Sequence, residues 1–69
     1  MPDVSVIMTA IDAARVGLND AKNSTVQWQS GTVAGVALSA AQVNALSAAI
    51  TTGLNAAKAG IAAAETELG

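Results

Sequence analysis

Of the 36 hydrophobic residues in this 69-residue chain, 17 are alanine, and that ratio constrains the fold more than any other feature. Only 19 apolar side chains are larger: seven Val, five Leu, four Ile, two Met and one Trp. A chain this short makes one domain at most, and its apolar burial barely offsets the entropy of ordering the backbone. With no Cys and no His, neither a disulfide nor a zinc ligand set is there to tip that balance. A self-sufficient monomeric globule is therefore not expected, and association is.

The larger residues recur at helical spacing in two separate stretches. From Asp3 to about Lys22 they fall at Val4, Ile7, Ile11, Ala14, Leu18 and Ala21, an unbroken heptad seam with Asp3 placed as the N-cap. A strand over Val4–Thr9 competes locally, since Val and Ile are dense there, but three heptads favour helix. The second stretch opens on Leu38-Ser39-Ala40-Ala41-Gln42-Val43, which reads as a capping box with a hydrophobic staple. Beyond it, Ile50, Leu54, Ala57, Ile61, Ala64 and Leu68 form another seam, with Val43 and Leu46 joining it through a stutter. Gly53, Ala57, Gly60 and Ala64 make a narrow stripe of small residues, where two helix backbones can approach closely. That stripe serves either a partner helix or the first helix of the same chain.

Between the stretches, Asn23 to Ala37 is rich in Ser, Thr, Gln and Gly and carries the sole aromatic residue, Trp28. It reads as extended chain or as a short β-like element such as Thr25–Gln29, and in either case as a connector. The expected architecture is all-α, in one small domain. A helix over about 4–22 and a helix over about 40–68, capped at 39, are joined by a connector over 23–38. They pack as a helical hairpin or as a coiled-coil bundle in an oligomer.

Composition also excludes most chemistry. Three bases and five acids leave a net charge of −2, too little clustered positive charge to grip nucleic acid. The five carboxylates do not converge in sequence on a catalytic pair or a metal site, so neither an enzyme nor any metal or other cofactor is expected. Residues 23–57 carry no charge at all, a stretch long enough to span a bilayer. Its apolar residues are few and its polar ones lie all round the helix, which disfavours insertion. Met1-Pro2-Asp3 lacks the positive leader of a secretory signal, so none is expected. The back of the second helix is polar or small and nearly uncharged, as suits a surface covered by neighbouring protein.

The run Leu38-Ser39-Ala40-Ala41-Gln42-Val43-Asn44-Ala45-Leu46 resembles helix starts in small bacteriophage virion proteins of the head-fibre and decoration type. The Ser/Thr/Gly/Val-rich tract before it and the Ala-rich helix after it are similar in style, so the resemblance covers the second half of the chain. It implies a non-enzymatic structural chain of a virion, assembled in the host cytoplasm, with itself and other structural proteins of the particle as partners. The interface would be carried by Ile7, Ile11, Leu18, Ile50, Gly53, Leu54, Ala57, Gly60, Ile61, Ala64 and Leu68, with Trp28 as a docking anchor. The alternative function is that of a membrane-active or membrane-inserted small helical peptide.

Overall fold

A computed structural model describes all residues from Met1 to Gly69. Two long antiparallel helices, α1 (Val4–Ser30) and α2 (Ala40–Leu68), are joined by two very short strands, β1 (Thr32–Val33) and β2 (Val36–Ala37). The all-α hairpin is thus present, drawn out into a rod of 53 × 16 × 11 Å.

Each helix starts where the sequence places a cap. The Asp3 carboxylate accepts from the Ser5 amide at 3.0 Å, satisfying one of the free donors of α1. At α2 the Ser39 hydroxyl accepts from the Gln42 amide at 3.2 Å, and the Gln42 side chain accepts from the Ser39 amide at 2.8 Å. The capping box is complete, and Leu38 and Val43 beside it are half-buried.

The end of α1 differs from the expected boundary near Lys22. The helix continues for eight more residues, so Trp28 is helical rather than part of an extended connector, and the connector shrinks from 23–38 to 31–39. The physical reason is tertiary. Ser24 continues the heptad line of Ala10, Gly17 and lies half-buried, because the long α2 runs alongside to cover it. The Thr25 hydroxyl is satisfied by the Ala21 carbonyl at 2.8 Å, so this weak helix former leaves no unmet donor. The true stop is Gly31, which adopts φ 72° and donates its amide to the Trp28 carbonyl at 3.0 Å, a left-handed C-terminal cap.

The reversal is made by Ala34 and Gly35, both at positive φ (52° and 78°), between the paired residues Val33 and Val36. Two left-handed residues in a two-residue hairpin loop define a type I′ turn. The Leu38 amide donates to the Gly31 carbonyl at 3.1 Å and closes the base of the loop. Ala34 bears a Cβ in the left-handed region, which costs about 1 kcal/mol. Ala34→Asn, creating the favoured Asn-Gly pair, should raise stability by about 0.5–1 kcal/mol in urea unfolding followed by circular dichroism.

The buried residues are all small: Ala10, Ala14, Gly17 and Ala21 on α1, and Gly53, Ala57, Gly60 and Ala64 on α2. Both sets step by 4, 3 and 4, so one heptad stripe faces another across the hairpin. Their contact is backbone against backbone. A methyl group added at Gly17 would lie 2.6 Å from the Gly53 carbonyl oxygen and 2.7 Å from the Ala57 nitrogen. One added at Gly60 would lie 2.7 Å from both the Ala10 oxygen and the Ala14 nitrogen. Ile7 and Ser24 extend the α1 stripe, and Val43, Leu46, Ile50 and Glu67 extend that of α2, all half-buried.

This arrangement corrects the frame of both expected seams. Ile7, Ala14 and Ala21 keep their seam positions, as do Ile50, Ala57 and Ala64. The alternate positions shift back by one residue: Ala10 and Gly17 replace Ile11 and Leu18, and Gly53, Gly60 and Glu67 replace Leu54, Ile61 and Leu68. In that frame Val43 and Leu46 join the α2 seam at regular 3,4 steps, and the expected stutter disappears. Small residues win the interface because they let the helix axes close toward the short end of the usual 8–10 Å range, multiplying van der Waals contact between backbones.

Candidate interface

The shifted frame divides the expected interface residues into two groups. Gly53, Ala57, Gly60 and Ala64 are buried against α1 of the same chain, and Ala57 is only 2% exposed. Ile7 and Ile50 are half-buried at the edges of that contact. Ile11, Leu18, Leu54, Ile61 and Leu68 stand one position further round each helix and remain exposed, at 44–61%. Trp28 lies in the last turn of α1, seven residues beyond Ala21 on the seam line, and is 41% exposed.

The exposed group is not scattered. Leu18, Leu54 and Ile61 line one groove together with Lys58, so the outer residues of α1 and α2 meet on the same side of the hairpin. This follows from geometry: in an antiparallel pair, residues one step past the seam on each helix turn toward a common face. The register places Val4 level with Leu68, Ile11 level with Ile61, and Leu18 level with Leu54. The next level, Thr25 with Ser47, is polar. The result is a ridge of three apolar layers, ~21 Å long at 1.5 Å per residue. The opposite side carries a larger and more open groove lined mostly by small residues, with Val6, Thr9, Ala13, Ala56 and Ala63 among them.

Charge plays its clearest part at the open end of the rod. The Asp3 amide donates to the Glu67 carboxylate at 2.7 Å, linking residues 64 apart in sequence. The acid at the C-terminal end of α2, unfavourable within its own helix, thereby rests at the positive end of α1. From sequence alone this use of Glu67 is invisible, since it depends on the length match between two helices. Glu67→Ala should cost about 0.3–1 kcal/mol in urea unfolding and should raise amide exchange in the first turn of α1.

No group of three or more His, Cys, Asp or Glu side chains is placed to hold a metal ion. No polar or charged residue is buried. No helix is long and apolar enough to cross a membrane. What the fold and its surface define is a class of part: an antiparallel helical hairpin locked by an Ala/Gly seam, with a row of large apolar side chains left exposed along one face. Comparison with protein-family models, with curated proteins and with solved structures finds no match to this chain.

Proposed function

We propose that this chain is a non-enzymatic structural protein of a multi-subunit particle, a bacteriophage virion component of the fibre, decoration or neck and tail accessory kind. It acts through helix–helix association. The observation that carries the reading is the inversion of ordinary core construction. The hairpin uses its smallest residues inside and leaves Ile11, Leu18, Leu54 and Ile61 about half exposed. Contiguous apolar surface of this kind marks an interaction site. The resemblance of residues 38–46 to virion helix starts supplies the particle. Its partners are copies of itself and other structural proteins of the virion, and it needs neither cofactor nor nucleic acid.

Mass spectrometry of purified particles from the source material tests this directly. The chain is expected as a stoichiometric component, copurifying through density-gradient sedimentation. Its absence from particles, together with dye release from liposomes by the purified chain, would replace the reading with that of a membrane-active peptide.

A further inference from the structure

We propose that the apolar ridge receives a second copy of this chain in the opposite orientation, closing a four-helix bundle. This deepens the reading of the chain as an assembly subunit and rests on it. Three observations identify the occupant.

The first is area. The hairpin exposes 4779 Å², whereas a folded monomer of 6.7 kDa exposes ~3,900 Å² by the usual scaling with mass. The surplus, roughly 900 Å² per chain, is spread over the whole 53 Å rod, and it leaves room for the ~800 Å² that each partner contributes to a standard stable interface.

The second is self-complementary layering. A two-fold axis perpendicular to the rod at the Ile11–Ile61 level sets Ile11 on Ile11 and Ile61 on Ile61. It also sets Leu18 on Val4 and Leu54 on Leu68. Apolar meets apolar in all three layers, while the polar Thr25–Ser47 levels of both copies fall beyond the overlap and stay in water. A two-fold contact needs such a match of one surface with itself.

The third is charge at the rim. Arg15 and Lys22 flank the ridge on α1, and Lys58 and Glu65 flank it on α2, each four residues on from a ridge residue. In the opposed orientation Lys58 of each copy comes level with Glu65 of the other, giving two complementary pairs. Arg15 comes level with the neutral Met8, and Lys22 falls level with Met1, at the end of the overlap beyond the last apolar layer. Stacking the rods with their loops at the same end would also match the apolar layers, but it sets Arg15 against Lys58 twice. Rim charges select orientation in this way even where they add little affinity. Lys58 and Glu65 are two turns apart on one helix, too far to pair within a chain.

Sedimentation equilibrium of the full chain should show a concentration-dependent dimer. Lys58→Glu should weaken it about tenfold, as should Glu65→Lys, through two like-charge pairs each. The double exchange Lys58→Glu/Glu65→Lys should restore it. Mild oxidation of Ile61→Cys should cross-link the dimer through the axis, whereas Ala63→Cys on the opposite side should not cross-link. A folded monomer at every concentration would overturn the proposal, and so would a dimer in which the double exchange fails to rescue and Ile61→Cys stays uncross-linked. A particle-borne chain that is monomeric in isolation would defeat this inference alone; a dimer absent from particles would defeat the virion reading alone.

Discussion

Replacing Gly17 by alanine should destabilise the hairpin by about 2 kcal/mol, although the same change at an exposed helical glycine gains about 1 kcal/mol. The sign is the diagnostic. Within an isolated helix, alanine restricts the unfolded chain and favours the folded one. At Gly17 the new methyl would meet the Gly53 oxygen at 2.6 Å and the Ala57 nitrogen at 2.7 Å, and both are backbone atoms that cannot rotate away. The helices must separate, and separation loosens contact along the whole seam. Gly60→Ala should behave alike, since its methyl would meet Ala10 and Ala14 backbone atoms on the opposing helix. A chain of this size has only about 3–10 kcal/mol of stability in total. The double variant should therefore be largely unfolded at 25 °C by circular dichroism. An increase in the urea midpoint for either single variant would mean that the backbones are not in contact.

The second large effect is an inversion of the usual core ranking. Ala57→Leu should cost about 3 kcal/mol, because its site is 2% exposed and bounded by the backbone of α1. Leu54→Ala, which deletes a comparable volume three residues earlier, should cost the hairpin about 1 kcal/mol or less. Leu54 is 44% exposed and its loss leaves no closed cavity. In an ordinary globule the leucine deletion would be the more damaging. Urea unfolding of both variants at low protein concentration ranks them. The opposite order would place the leucine in the core and the alanine outside it.

Much of the local structure is legible without coordinates, because it depends on near neighbours in sequence. Ser39 and Gln42 stand three apart, and a capping box needs nothing else. The reach of α2 to Leu68 follows from its sustained apolar period. Asp3 as an N-cap is legible for the same reason, since its partner Ser5 is two residues away. Gly31 ends α1 in the folded chain, yet the Ser, Thr and Asn before it have weak helical preference and suggest connector instead. Their helicity comes from packing against α2, which no local signal reports. The Ala34-Gly35 reversal is similarly hidden, since alanine is a poor marker for a left-handed turn residue.

The candidate interface divides along the same line. The small stripe Gly53, Ala57, Gly60 and Ala64 is visible as a place for close helix approach, and the identity of the helix that approaches is not. A heptad pattern with a large residue next to each small one admits two frames, one residue apart. The frame built on Ile11, Leu18, Leu54 and Ile61 accounts for the largest side chains, and sequence reasoning prefers it for that reason. In the folded hairpin the other frame prevails, so the large residues pass from seam to outer ridge.

Alanine content, helix starts, seam period and the scarcity of charge are properties of the chain as written, and they alone establish a two-helix chain with few large side chains to bury. Which residue of each adjacent pair faces inward was decided only in three dimensions. Two frames one residue apart differ little in local energy, and the choice between them depends on how closely two backbones approach once both helices exist.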